Sequence, residues 1–190
     1  MRNSRADVVD RAIEVLDAYG LADLSMRRLG AELGVQPSAL YHHFANKQLL
    51  LAAVADEVLA RGARPPADGR WDAQVVAVCT GLRDAMLAYR DGAELVTTAH
   101  AFGLGATAPY DALVVALQAG DLPVDRVPVA ARTLLHFVFG HVCDEQTHLQ
   151  AGSAGAIADA PRDTSDFAVG LAIVVDGIRA QAASVPPLRR

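Results

Sequence analysis

The segment from Leu24 to Leu51, LSMRRLGAELGVQPSALYHHFANKQLLL, combines three short helix signals with one tight turn in 28 residues. Ser25 is a good N-cap for one helix, and Gly34 is a natural end for it. Pro37 suits the first position of the next helix, which needs no backbone N–H, and this helix is predicted to run to about Phe44. Such a succession is the layout of a helix-turn-helix. It restricts this part of the chain to a small helical domain.

Helical periodicity continues on both sides of this segment. Apolar residues recur at helical spacing from Val9 to Tyr19, and Gly20 follows as a stop. Asn46 can cap another helix, and the run GARPPADGR (Gly62–Arg70) is the clearest boundary. Further helices are predicted near residues 71–89, 110–119, 126–150 and 164–183. The expected fold is all-α, with a three-helix helix-turn-helix domain over residues 1–61 and a larger helical domain over residues 71–190.

The composition is that of a globular protein. Hydrophobic residues make up 52% of the chain and charged residues 21%, and no apolar run reaches the ~18 residues that span a bilayer. The N-terminus lacks the apolar core of a signal peptide, so a cytoplasmic protein without membrane contacts is expected. Cys79 and Cys143 match no zinc or redox spacing and are expected to be packing residues.

The net charge of −5 is unevenly distributed. Residues 1–64 carry 8 basic and 8 acidic side chains, whereas residues 65–190 carry 9 and 14. Between Ser25 and Leu50, three basic side chains stand against one acidic side chain. A locally basic head on an acidic body is compatible with sequence-selective DNA binding.

A recognition helix is short, presents polar and small side chains from its first turn, and is supported by a preceding helix through a tight turn. Gly34 and Val35 supply that turn, while Leu29, Leu33 and Leu40 can brace the two helices. The side chains left to contact base edges and phosphates are Gln36, Pro37, Ser38, Ala39, Tyr41, His42 and His43. Those placed to hold the DNA backbone are Ser25, Arg27, Arg28 and Lys47. The alternative, that these are ordinary solvated residues, does not account for their spacing as a set.

Residues 1–60 resemble the DNA-binding head of the tetracycline repressor (TetR) family of bacterial transcriptional regulators. The segments that carry the resemblance are the opening helix ending at Gly20, LSMRRLGAELGV, LYHHF and NKQLLL. The resemblance implies recognition residues at Gln36, Pro37, Ser38, Ala39, Tyr41 and His43, with Lys47 as a backbone clamp. Three later segments, YRDGAELV, LLHFVFGHVCDEQTH and FAVGLAIVVDGI, are similar to the ligand domain of the tetracycline repressor subgroup.

The resemblance implies a ligand-responsive regulator, usually a repressor, that binds a palindromic operator in double-stranded DNA as a homodimer. Residues 71–190 would then form the ligand-binding and dimerisation domain, with segments 126–150 and 164–183 of two subunits making a four-helix bundle. An apolar stripe fits such an interface and comprises Phe167, Leu171, Val174, Val175 and Ile178. Burial within one subunit would produce the same stripe, so the pattern leaves both interpretations open.

The segments that would hold the effector depart from the tetracycline repressor. The resemblance places that repressor's magnesium-binding histidine at Val96 and its polar drug contacts at Val78 and Leu82, whereas Asp144 matches an acidic position. A small, largely apolar effector is therefore expected instead of magnesium-tetracycline. The candidate contacts are Leu82, Met86, Tyr89, His100, Phe102, Tyr110, His136, Phe137, Phe139, His141 and Asp144. Ordinary core packing is the alternative for each.

One helix face carries His141, Asp144, Glu145 and His148 at i, i+3, i+4 and i+7. These side chains leave two alternative functions open. One is a metal-sensing regulator, and the other, suggested by Glu145-x-x-His148, is a helical-bundle enzyme. A second Glu-x-x-His copy is absent, as are HExxH, G-x-S-x-G and a phosphate loop. A solvated or interface-facing polar stripe is favoured, and no enzyme activity, cofactor or resident metal is expected. A further alternative is a protein-interaction module built on a helix-turn-helix, which would show no salt-dependent binding to duplex DNA.

Overall fold

The computed structural model describes residues 3–63, 69–120, 122–155 and 165–183, and these residues form α-helices without any strand. The helices are α1 (Arg5–Tyr19), α2 (Met26–Glu32), α3 (Pro37–Leu40), α4 (Lys47–Arg61), α5 (Trp71–Leu87), α6 (Gly92–Ala101), α7 (Ala108–Gln118), α8 (Val127–Ser153) and α9 (Phe167–Ala183). The all-α prediction is confirmed. In these ranges, no helix combines the length and the apolarity that crossing a membrane requires.

Packing divides the chain into two compact units. The head unit consists of the described residues of Met1–Ala63 together with Asp84–Thr107, and the body unit consists of those of Arg64–Arg83 and Ala108–Arg190. Residues 64–68 of the predicted boundary lie outside the described residues, as do the predicted helix start at residue 164 and the last residues, 184–190. The predicted limits of independent domains, 1–61 and 71–190, stay a prediction.

Helix α1 forms because its ends are capped and one of its faces is apolar. Ser4 Oγ accepts a hydrogen bond from Asp7 N–H, and the Asp7 carboxylate accepts one from Ser4 N–H at 2.7 Å. The hydrogen bonds that Ser4 donates to the carboxylate, first of all the one from its backbone N–H, hold the pKa of the Asp7 carboxyl below its ordinary value. Val8, Ile13 and Leu16 are buried on the inner face, where α1 packs against α2 and α4. The head unit therefore has its own apolar core.

Helix α6, which the sequence patterns did not predict, packs along α4 in the head unit. It begins at Gly92 after Asp91, whose φ of 55° lies in the left-handed region. The Asp91 carboxylate accepts a hydrogen bond from Leu21 N–H at 2.7 Å, which helps to hold this conformation. A Cβ atom at position 92 would lie 2.4 Å from the Met86 carbonyl oxygen, so glycine is required there.

In the body unit, α8 packs against α7 and α9. Phe167, Leu171, Val175 and Ile178 of the predicted α9 stripe are buried against the chain itself, and Val174 is half-buried. The structure thus selects burial within one subunit over a subunit interface for this stripe. Gly170 allows the close packing, because a Cβ atom there would lie 2.8 Å from the Phe137 ring. The exposed face of α9 is a different one, which carries Val169 and Ile173.

Candidate nucleic-acid interface

Two glycines shape the turn between α2 and α3. Gly34 has a φ of +65°, a left-handed conformation that glycine adopts without strain. Gly30 lies inside α2, where its carbonyl accepts a hydrogen bond from Val35 N–H at 2.9 Å. A Cβ atom on Gly30 would lie 2.9 Å from the Val35 carbonyl oxygen, closer than real Cβ contacts come. The sequence analysis missed Gly30, although a glycine inside a helical pattern is itself a signal of close packing.

Helix α3 ends at Leu40, so the predicted extension to Phe44 was wrong. The Leu40 carbonyl accepts hydrogen bonds from both His43 N–H and Phe44 N–H, which turns the chain out of the helix. Leu40 and Phe44 are both buried, and the Arg5 guanidinium lies 4.7 Å from the centre of the Phe44 ring. The turn is therefore anchored at both ends by apolar side chains.

The predicted base-reading side chains lie on the outside of this anchored turn. Gln36 is the N-cap residue of α3, but its side chain makes no capping hydrogen bond, which leaves the amide available to an external partner. Gln36, Ser38 and His42 are exposed, and Tyr41 is 52% exposed. Pro37, Ala39 and His43 are half-buried. A cleft of about 460 Å³ adjoins this surface and is lined by Asn3, Val8, Val35, Ala39, Leu40, His42 and His43.

The four predicted backbone contacts occupy different environments. Ser25 is half-buried and caps α2, with its Oγ accepting from Arg28 N–H at 3.2 Å. Arg27 is exposed. Lys47 is half-buried at the first position of α4, which Asn46 caps by accepting from Leu49 N–H at 2.9 Å. Ser25 and Lys47 thus both stand where a helix begins.

Arg28 is held by its own chain. Its guanidinium carbon lies 3.6 Å from the centre of the Tyr19 ring, and Nη1 lies 3.6 Å from Asp23 Oδ1. The Nε atom is buried without a hydrogen-bond partner among the described residues. This geometry favours a positioning role for Arg28 beside the exposed Arg27.

Comparisons with known proteins agree with this geometry. The family model of bacterial regulatory proteins of the tetR family matches residues 8–54, and that of the tetracyclin repressor-like C-terminal domain matches residues 65–164. The chain belongs to the tetR family. The tetracycline repressor protein class A from transposon 1721 of Escherichia coli is 36% identical over 90% of this chain and 88% of its own length.

Solved structures of other tetR-family regulators share the whole fold. BioQ of Mycobacterium smegmatis is 42% identical, with a TM-score of 0.87 over 94% of this chain and 99% of its own. BioQ bound to its natural double-stranded DNA operator gives a TM-score of 0.83 over the same shares of the two chains. This tetR-family chain is accordingly a DNA-binding transcription regulator and not an enzyme.

Some of the predicted effector contacts of this tetR-family regulator lie in the head unit. Met86 is fully buried, and Tyr89 is half-buried. His100 Nδ1–H donates to the Ala106 carbonyl oxygen at 3.2 Å, which ties the end of α6 to the loop that follows. Phe102, in that loop, is 61% exposed. Their role as effector contacts stays a prediction.

The other candidates lie in the body unit. Leu82 is buried, Tyr110 and Phe139 are half-buried, and His136 and Asp144 are exposed. Phe137 and His141 pack on the Phe167 ring, with ring centres 5.6 and 5.3 Å away. Both rings therefore contribute to packing between α8 and α9, whether or not they also contact an effector.

The His and acidic stripe on α8 does not form a metal site in the part of the chain that is described. Glu145 is bound by Arg83, with Arg83 Nε donating to Glu145 Oε2 at 3.0 Å and Nη2 to the other oxygen. His141 Nε2 lies 3.9 Å from the same carboxylate. The described residues contain no group of three or more His, Cys, Asp or Glu side chains that could hold a metal ion. Neither the metal-sensing nor the enzyme alternative is supported.

Proposed function

We propose that this regulator is a dimeric repressor that binds a palindromic operator and releases it when a small, largely apolar effector binds. The observation that carries the proposal is the exposed surface of α3, where Gln36, Ser38 and Tyr41 project from a turn whose scaffold is buried. A recognition helix needs this combination of an immobile base and free side chains. We infer that the protein acts in the cytoplasm, where its DNA lies.

Within this proposal, the residues of the head have different tasks. Gln36 and Ser38 contact base edges, while Pro37 and Ala39 meet thymine methyl groups. Tyr41, His42, His43 and Lys47 contact phosphates, as do Ser25 and Arg27 from the supporting helix. Arg28 holds that helix in place. BioQ, which is similar over the whole fold, has been solved with its operator DNA and supports the assignment of the DNA face.

Dimerisation supplies the second recognition helix, which must meet a major groove about 34 Å from the first. The outward faces of α8 and α9 carry the apolar side chains Val129, Val169 and Ile173, each at least half exposed in the single chain. Exposed apolar side chains on two packed helices favour burial against a second copy. We therefore infer that the subunit contact includes these exposed apolar side chains of α8 and α9.

The chemical character of the effector is inferred from the side chains at the positions where the resemblance places the drug contacts of the tetracycline repressor. Val96 is fully buried in α6, and Leu82 is buried in α5. Neither side chain can bind a metal ion or donate a hydrogen bond, so magnesium-tetracycline is a poor match. We propose that the effector binds more tightly to a dimer conformation in which the spacing of the two heads does not match the operator. Operator affinity would then fall by at most the ratio of the effector's affinities for the two conformations.

A gel shift tests the proposal. DNA from beside the gene would be titrated with the protein at two salt concentrations, with excess competitor DNA, and the retained complex would then be challenged with a panel of apolar compounds and with magnesium-tetracycline. We expect retention that survives competitor and falls steeply with salt, because phosphate contacts release counterions. The absence of salt-dependent binding to any duplex would contradict DNA reading and favour an interaction module.

A further inference from the structure

The 190 residues contain one lysine, Lys47, and sixteen arginines. The ion pairs within the described part of the chain are made by arginine, for example Arg83 with Glu145 and Arg179 with Asp72, apart from the contact of His141 with Glu145. Lys47 takes part in none of them. Arginine stays protonated and does not react as a nucleophile near neutral pH, whereas a lysine amine can be acylated. Lys47 is therefore the one side chain in this sequence with a primary amine that can be acylated.

Lys47 stands where its charge does little for its own fold. It is the first residue of α4, next to the N-cap Asn46. The positive end of the helix dipole lies here and disfavours a cation. Lys47 is also only half-buried, so that part of the residue contacts solvent. The charge is thus placed for an external anion, which under the proposed function is an operator phosphate.

We propose that Lys47 Nζ is an acylation site at which an activated acetyl group switches off operator binding; this rests on the proposed function. The neutral amine attacks the carbonyl carbon of acetyl phosphate or of an acetyl thioester. A C–N amide bond forms, the C–O or C–S bond breaks, and the leaving phosphate or thiolate takes its electron pair. The amine proton goes to solvent, and the product is a neutral amide.

The expected effect is large because acetylation removes a positive charge from both heads of a dimer. The slope of log affinity against log salt should fall by about 1 for each operator phosphate that Lys47 no longer neutralises, and affinity near physiological salt should fall by about ten-fold. The fold should persist, because Lys47 makes no ion pair with the described residues. Its thermal midpoint should move by no more than about 2 °C.

The experiment uses the full chain treated with acetyl phosphate in one arm and acetyl-coenzyme A in another. Peptide mass spectrometry would follow acetylation at Lys47 and at the α-amine, and fluorescence anisotropy would follow operator binding at two salt concentrations. We expect binding to fall in step with acetylation of Lys47 in at least one arm. Bound operator should slow acetylation at Lys47.

Lys47→Arg is the matched control, because it keeps the charge and the α-amine but removes the reactive side chain. Whatever its own affinity, that affinity should not change on treatment. A protein fully acetylated at Lys47 that binds as before, or a Lys47 that neither donor modifies, would overturn the inference. If the untreated protein binds no duplex, the proposed function itself fails, and the two failures are thereby distinguished.

Discussion

At the scale of single residues, Gln36 and Tyr41 lie at opposite ends of α3 and are expected to contact different parts of the DNA. Replacing Gln36 by alanine should reduce discrimination against operators with one changed base pair by about 1–3 kcal/mol, because base edges are read by hydrogen bonds. Tyr41→Ala should instead weaken binding to all sequences alike. Fluorescence anisotropy with a set of point-changed operators measures both. If Gln36→Ala bound the set of operators with the same relative affinities as the wild type, this residue would not read bases.

Cys79 makes the stability of the protein sensitive to high pH. Burial in α5 raises the pKa of its thiol from 9.0 to about 12. Below pH 9.0 the thiol is protonated in both the folded and the unfolded chain; above it, only the unfolded chain loses the proton. The free energy of unfolding should therefore fall by up to ~1.4 kcal/mol per pH unit between pH 9.0 and about 12.

Denaturant unfolding of the wild type and of Cys79→Ala at several pH values checks this expectation. The variant should be less stable at neutral pH, because it leaves a cavity, but its stability should fall less steeply as the pH rises. Parallel slopes for the two proteins would mean that the Cys79 thiol is not shielded. A thiol reagent should modify the half-buried Cys143 of the folded protein well before it modifies Cys79.

At the scale of elements, the crossing of α2 and the following turn depends on Gly30. Gly30→Ala should lower the free energy of unfolding by about 1–3 kcal/mol, because the new Cβ meets the Val35 backbone and not a movable side chain. Gly81→Ala in α5 is the matched control. Apart from the backbone of α5 itself, no atom of the described residues lies within 4 Å of a Cβ at that position, so the change should be neutral or stabilise by up to about 1 kcal/mol. Equal thermal midpoints for the two variants would contradict the close crossing.

The elements also show how far local sequence signals reach. The starts of α2, α3 and α4 were predicted because caps and Pro37 act within a few residues of the chain. The end of α3 was misplaced, because the turn after Leu40 depends on the burial of Phe44. Helix α6 was missed, because it begins at a strained Asp91 whose partner, Leu21, lies 70 residues away.

At the scale of the whole molecule, the proposed subunit contact makes a sharp prediction. Ile173 is 68% exposed on α9, and Ile173→Asp, which places a charge at this apolar position, should shift the protein from dimer to monomer. Operator affinity should fall with it, since one head reads only half a palindrome. Val115→Asp in α7, a position that is 67% exposed, is the control and should remain dimeric.

Analytical ultracentrifugation together with operator titration would measure both variants. Two dimeric variants would place the subunit contact on another face of the body. Two monomeric variants would mean that the contact extends to α7. Only a monomeric Ile173→Asp beside a dimeric Val115→Asp agrees with a contact centred on α9.

The sequence by itself determined the helical class, the helix-turn-helix and the family, because capping residues, glycine and proline positions and apolar periodicity are local properties. It also predicted the exposure of Gln36, Ser38, Tyr41 and His42, whereas His43, predicted to be exposed as well, is half-buried. Tertiary structure alone decided what the other side chains contact. Glu145 of the polar α8 stripe pairs with Arg83, which is 62 residues away, and the apolar α9 stripe is buried within the subunit. Such pairings depend on which helices meet, and packing of the entire chain decides that, not the pattern of any one helix.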